Sequence, residues 1–167
     1  MNNSRYLLIY LILVISQIII NSLLGISQHL LISLLPMLIL CLPVKTGYLA
    51  AMFIAFATGL AVDFFSNGLL GMTSFALVPA ALCRPLIISL VFGSEVFSRG
   101  ENITLRRQGV PKFALAILLI NAVFFLLYIP LDSAGTRTLG FNILSFVISL
   151  LSSSILSLLL VNRTTSE

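Results

Sequence analysis

Apolar residues run almost without interruption through most of this chain, and short polar segments divide them into six stretches. The stretches occupy residues 6–25, 28–43, 47–65, 69–92, 113–129 and 139–161. Strands of a membrane barrel alternate apolar and polar residues over about ten positions, whereas these runs are continuously apolar and about twice as long. Helices satisfy their own backbone N–H and C=O groups in lipid. The pattern therefore predicts an all-α integral membrane protein, with residues 1–167 forming one domain of six transmembrane helices.

Composition strengthens this prediction and excludes a water-soluble domain. Of the 167 residues, 59% are hydrophobic and 8% are charged, and mean hydropathy is +1.17. Soluble domains carry about 25% charged residues. The first stretch is longer than the apolar core of a signal peptide, which has about 7–15 residues, so we expect it to remain as the first helix.

Lysine and arginine fall on alternate connections between the predicted helices. Short cytoplasmic loops are enriched in these residues, which predicts that both termini and the basic loop 93–112 are cytoplasmic. Only Arg137 would lie outside. The net charge of +4 follows from this topology and does not indicate a nucleic-acid partner. The residues on the predicted cytoplasmic side are Arg5, Lys45, Arg99, Arg106, Arg107, Lys112 and Arg163.

Two ionisable side chains lie within the predicted spans, Asp63 near the outer end of the third and Arg84 late in the fourth. A helix rises 1.5 Å per residue, which places Arg84 roughly 20 Å deeper than the start of its helix. We therefore expect no salt bridge between the two unless the segment around residues 68–71 is re-entrant. Arg84 is interpreted as a cation whose long side chain reaches the cytoplasmic interface.

Small residues recur at every fourth position in two of the predicted spans. Rows of this kind let helix backbones approach closely in lipid. We interpret both rows as internal packing faces; the alternative is that one of them receives a transmembrane helix of a partner. The first row is Gly47, Ala51, Ala55 and Gly59 and ends at Asp63, and the second is Ser145, Ser149, Ser153 and Ser157.

Two glycines, Gly68 and Gly71, follow the carboxylate of Asp63 after a short polar segment. Glycine adopts backbone conformations that other residues avoid and can cap a helix. We expect a tight turn here, with Asp63 capping it or accepting hydrogen bonds from it. Water can reach a carboxylate near the outer interface, and the sequence offers no basic partner for it. A role in proton or substrate chemistry is therefore not expected.

The residues around this turn resemble MreD, the small multi-spanning rod shape-determining family of bacteria. The resemblance covers residues 42–82 and rests on Leu42-Pro43-Val44-Lys45, Gly59-Leu60-Ala61-Val62-Asp63 and Gly68-Leu69-Leu70-Gly71. It implies a non-enzymatic inner-membrane component of the cell-wall elongation machinery. The implied partners are a bitopic MreC-like protein and, through it, the MreB filament, the RodA glycosyltransferase and its transpeptidase. It also implies a fold similar to the substrate-binding subunits of energy-coupling-factor vitamin transporters.

That similarity supplies the alternative function, a subunit that captures a small molecule such as a vitamin. Its pocket would need polar groups that converge among apolar walls. An enzyme is the least supported class, because the spans contain no Ser/His pair, paired carboxylates or His/Cys cluster. Cys41 and Cys83 lie in apolar surroundings and suggest neither a disulfide nor a metal site. No cofactor is expected. The polar candidates for a pocket are Gln17, Asn21, His29, Asn121 and Asp132.

Overall fold

Six α-helices make up the computed structural model, which describes residues 3–24, 31–43, 46–66, 69–93, 109–133 and 138–165. No strand occurs within these ranges. The all-α class predicted from the sequence is therefore confirmed for the described part of the chain. The helices are α1 (Asn3–Leu24), α2 (Leu35–Leu40), α3 (Tyr48–Phe65), α4 (Met72–Phe92), α5 (Val110–Ser133) and α6 (Leu139–Thr165).

Four of these helices, α3 to α6, are long and apolar enough to cross a membrane. Their outward faces carry large apolar side chains; Phe53, Leu90 and Leu126 are 72%, 72% and 63% exposed. Such surfaces are unfavourable in water and suit lipid. The apolar stretch described in α1, Tyr10–Asn21, is shorter. The helices indicate a membrane protein with four helices of spanning length, and the arrangement with six spans stays a prediction.

The second predicted span, 28–43, is not a continuous helix. Only Leu35–Leu40 is helical, and residues 31–34 before it are non-helical. Pro36 occupies the first turn of this short helix, where a missing N–H is tolerated, so it starts the helix and does not kink it. Six residues rise only about 9 Å. All six side chains of α2 are buried, so α2 lies inside the protein.

The core forms where α3, α4 and α5 pack side by side and α6 packs against α5. α2 lies against α4 and α5, while α1 contacts α3 and α2. Alanines at the α3–α4 contact let these two helices approach closely. The largest fully buried apolar side chains are Leu34, Leu35, Ile39, Leu40, Leu77, Ile88, Phe113, Ile117, Ile120, Phe124 and Phe125.

The fifth helix continues beyond Pro130, although the sequence predicts that it ends there. It reaches Ser133, with Pro130 inside its last turn. Proline removes one backbone N–H, but the Ser133 hydroxyl donates a hydrogen bond to the Pro130 carbonyl at 2.9 Å. The Ser133 hydroxyl thus caps one of the last carbonyls of the helix, which have no amide partner within it. The long helices α3, α4 and α6 begin and end within a few residues of their predicted bounds, apart from the extension of α6 to Thr165.

Candidate functional site

The carboxylate of Asp63 lies at the N-terminus of α4, where backbone amides have no acceptors within their own helix. Its Oδ2 accepts hydrogen bonds from the N–H groups of Gly71 at 2.9 Å and Thr73 at 3.0 Å. Its Oδ1 lies 3.3 Å from the Thr73 nitrogen. A negative charge at this position is also stabilised by the helix dipole. Asp63 is only 5% exposed, and it connects the end of α3 to the start of α4.

Gly71, the residue that precedes α4, has a backbone conformation that favours glycine. Its φ is +92°, in the left-handed region, which residues with a Cβ rarely adopt. Its carbonyl accepts a hydrogen bond from the N–H of Phe75 at 2.8 Å. The other glycine of the expected turn, Gly68, lies outside the described residues. Gly71 therefore starts α4 while its own N–H donates to Asp63.

The row of small residues on α3 lies against α4 of the same chain. Ala51, Ala55 and Gly59 are buried, and a Cβ added to Gly59 would lie 2.6 Å from the Cα and N atoms of Ser74 on α4. The Ser74 hydroxyl donates to a carbonyl of α3, that of Phe56, at 3.0 Å. Gly59 contacts α4, and Ala51 and Ala55 are buried on the same side of α3, so the three positions form an internal packing face.

Gly47, the first residue of that row, is an exception. It is exposed, precedes α3 and has open space where a Cβ would be. The packing face therefore begins at Ala51.

The non-helical residues 31–34 obtain hydrogen bonds from side chains of α1 and α6. Gln17 accepts from the N–H of Leu34 at 2.7 Å and donates to the carbonyl of Ile32 at 2.9 Å. Ser149 and Ser153 accept from the N–H groups of residues 31 and 33, at 3.1 and 2.9 Å. Irregular backbone is tolerated at membrane depth only where such partners exist. The second small-residue row thus supplies acceptors as well as a close packing surface.

The other two serines of that row, Ser145 and Ser157, are buried. Their hydroxyls have no hydrogen-bond partner among the described residues. Ser154, next to the row, accepts a hydrogen bond from the Asn121 amide of α5 at 3.3 Å. Only the middle of the row therefore contacts the backbone of the 31–34 segment through hydrogen bonds.

The guanidinium of Arg84 lies at the C-terminus of α2. It donates to the carbonyls of Leu40 at 3.5 Å, Pro43 at 3.3 Å and, more closely, Leu42. The last carbonyls of a helix receive no hydrogen bond from an amide of the same helix. A cation at this end is also favoured by the helix dipole. Arg84 is 2% exposed. The expected place of Arg84 at the cytoplasmic interface stays a prediction, and the structure adds its partners, the carbonyls at and just beyond the end of α2.

Asp63 and Arg84 thus bind different parts of the backbone. Asp63 accepts hydrogen bonds from backbone N–H groups at the start of α4. Arg84 donates hydrogen bonds to carbonyls at and just beyond the end of α2. Both buried charges stabilise helix ends, which is a structural use of ionisable groups within apolar surroundings.

A small polar cavity lies between α1, the 31–34 segment, α4 and α5. Its volume is about 20 Å³. Its polar lining residues are Gln17, Asn21, Ser33, Thr73 and Tyr128. Two of the polar residues considered for a pocket, Gln17 and Asn21, therefore lie together, and the Gln17 amide donates to the Asn21 Oδ1 at 2.9 Å.

The remaining candidates are dispersed or lie outside the described residues. Asn121 pairs with Ser154, away from the lining of the cavity. Asp132 is half-buried near the end of α5, and Lys112 is exposed in the first turn of the same helix. His29 and three arginines of the predicted basic loop, Arg99, Arg106 and Arg107, lie outside the described residues.

Sequence reasoning missed the polar contact between α1 and α3. The hydroxyls of Tyr10 and Thr58 form a hydrogen bond, and Thr58 also donates to the carbonyl of Ile54 at 2.6 Å. Asn21 adds a long contact of 3.5 Å to Ser66 at the end of α3. The spacing of Tyr10, Gln17 and Asn21 by seven and four residues could have indicated one polar face on α1.

Comparisons of this chain with protein-family models, with curated proteins and with solved structures find no match. Within the described residues, no group of three or more His, Cys, Asp or Glu side chains is placed to hold a metal ion. What the site can do is therefore inferred from its hydrogen bonds and its packing.

Proposed function

We propose that this chain is a non-enzymatic membrane scaffold that helps to control cell shape. In this role it belongs to the peptidoglycan elongation machinery of a bacterial inner membrane. It binds an MreC-like bitopic protein and, through it, the MreB filament, RodA and the elongation transpeptidase. The resemblance of residues 42–82 to MreD is the source of these partner identities.

The observation that carries the non-enzymatic part is the use of Asp63. Its carboxylate accepts hydrogen bonds from two backbone amides and is 5% exposed. A general base or a proton relay needs a carboxylate within hydrogen-bond reach of a substrate. Arg84 is likewise engaged by backbone carbonyls. These contacts support a structural role for both ionisable side chains.

Partner binding in this proposal uses surfaces other than the buried small-residue rows. The row on α3 faces α4 from Ala51 to Gly59, and the serines of α6 are buried beside α5 and the 31–34 segment. A partner helix would instead meet the outward faces of the long helices. In lipid such contacts depend on shape and polar groups, since the hydrophobic effect does not favour protein over acyl chains.

The proposed topology places both termini in the cytoplasm, together with the basic loop 93–112. It is supported by the alternation of lysine and arginine along the sequence. Reporter fusions after Lys112 and after Glu167 should read cytoplasmic, and fusions within 132–137 should read external. A reporter at the C-terminus that reads external would overturn the arrangement with six spans.

The alternative, a vitamin-binding subunit, has less support from the geometry. Ligand pockets for small organic molecules enclose about 300–1,000 Å³, whereas the polar cavity has about 20 Å³. Of the five polar residues considered for a vitamin pocket, two, Gln17 and Asn21, line that cavity. The volume favours a scaffold over a subunit that captures a vitamin.

The experiment that tests the scaffold proposal is co-purification of the full chain from its own bacterium in mild detergent. Bound proteins and bound small molecules are both identified by mass spectrometry. A bitopic partner recovered at a fixed ratio, with loss of rod shape on depletion, supports the proposal. A stoichiometric vitamin without such a partner would overturn it.

A further inference from the structure

We propose that the cavity beside the 31–34 segment holds one ordered water molecule that is bound by the hydroxyl of Ser33. The cavity has a volume of about 20 Å³. A cavity needs about 10–15 Å³ to hold a water. The space is therefore sufficient for an ordered water.

The hydroxyl of Ser33 is the group that most needs such a partner. Ser33 is 6% exposed, and its Oγ has no hydrogen-bond partner among the described residues. It lines the cavity directly. Buried hydroxyls in proteins are nearly always paired with protein atoms or with ordered water. A water in the cavity would satisfy this hydroxyl.

The cavity also offers further polar groups to the same water. Asn21, Thr73 and Tyr128 line it from α1, α4 and α5. The Asn21 side-chain nitrogen carries two hydrogens, and its contact with Ser66 is long, at 3.5 Å. Buried waters make about three hydrogen bonds, with a range of 2–4. Through Thr73 and Tyr128 the water would therefore connect the 31–34 segment to α4 and α5, in addition to the hydrogen bonds that its backbone makes with α1 and α6.

Two other buried serines provide the contrast. Ser145 and Ser157 also have unpaired hydroxyls within the described part of the chain, but neither lines this cavity. Ser157 is fully buried. Removal of the Ser157 hydroxyl should therefore differ from removal of the Ser33 hydroxyl, although the chemical change is the same.

The first test is radiolytic hydroxyl labelling of the full chain in lipid nanodiscs, with modified residues located by mass spectrometry. Hydroxyl radicals formed from a bound water label the side chains beside it. Phe124 and Phe125 line the cavity on α5 and are 2% and 0% exposed, and Phe113 on the same helix is equally buried but does not line it. Labelling at 124–125 should exceed that at Phe113 several-fold. Equal labelling would overturn the proposal, because the cavity would then be dry.

The second test compares the thermal unfolding midpoints of Ser33→Ala and Ser157→Ala. Ser33→Ala removes the proposed ligand of the water but keeps the backbone N–H that donates to Ser153. Its midpoint should fall, while that of Ser157→Ala should stay the same or rise, since an unpaired hydroxyl is lost. If Ser33→Ala unfolds at the temperature of the native chain or above it, Ser33 does not bind a water and the proposal is wrong.

Discussion

Replacing Gly59 with alanine should weaken the packing of α3 against α4, because a Cβ at this position has no room. The added atom would lie 2.6 Å from the Cα, N and Oγ atoms of Ser74. Optimal contacts between carbon atoms lie at about 3.5–4.0 Å, so the two helices would have to separate by about 1 Å. Two of the three atoms belong to the backbone, and no rotation of the Ser74 side chain can relieve the collision.

The magnitude follows from two opposing effects. Overpacking of this kind costs about 1–3 kcal/mol, while exchanging glycine for alanine inside a helix gains up to about 1 kcal/mol. Gly140 in α6 isolates the second effect, since a Cβ there meets nothing within 4 Å. Gly59→Ala should therefore be less stable than Gly140→Ala by about 1–3 kcal/mol.

The assay can use the two free cysteines of the protein, because the chain contains no tryptophan. Cys41 and Cys83 are half-buried, and a fluorogenic maleimide reacts with them as the protein unfolds on heating. Adding Ser74→Ala to Gly59→Ala should not restore stability, because only the Oγ contact disappears. Equal midpoints for Gly59→Ala and Gly140→Ala would refute the close contact, and full rescue by Ser74→Ala would show that the backbone is not involved.

Substitutions at three further positions, Asp63, Gln17 and Arg84, test the polar contacts by the same unfolding assay or by thiol chemistry. Asp63→Asn should be mild, because one oxygen remains for the amides of α4, whereas Asp63→Ala should lose about 0.5–2 kcal/mol; equal stability of Asp63→Ala and the native chain would contradict the capping role. Gln17→Leu should cost about 1–3 kcal/mol, because it leaves an amide and a carbonyl of the 31–34 segment unpaired. Ser16→Ala, which loses a bond only within α1, should be neutral. Arg84→Met should speed alkylation of Cys41, which follows α2 directly, as measured by peptide mass spectrometry; an unchanged rate would mean that Arg84 does not hold the end of α2.

The sequence predicted the long helices well, because a run of apolar residues indicates a helix in lipid whatever its neighbours are. It also predicted a hydrogen bond between Asp63 and the glycine segment that follows it, which the structure shows for Gly71, since the two residues are close in the chain. The break in the second span was not predictable in this way. Residues 31–40 are as apolar as the true helices, and the groups that allow a non-helical backbone, Gln17, Ser149 and Ser153, lie far away in the sequence.

The partners of Arg84 could not be predicted from the sequence for a related reason. The carbonyls that its guanidinium contacts belong to residues 40–43, 41 to 44 positions earlier in the chain. They are available at and just beyond the end of α2, and an uninterrupted apolar run gives no sign that a helix ends there.

Burial of apolar area does little to distinguish one helix arrangement from another in lipid, because acyl chains solvate leucine as well as protein does. Specificity must then come from close backbone contact and from hydrogen bonds. The close contact of Gly59 with Ser74 fixes α3 against α4, and Asp63 holds the start of α4. Gln17 and Arg84 hold the two ends of the segment that contains α2. It follows that exchanging outward leucines such as Leu126 for other apolar residues should be tolerated, whereas the few polar and small side chains inside the bundle determine which arrangement forms.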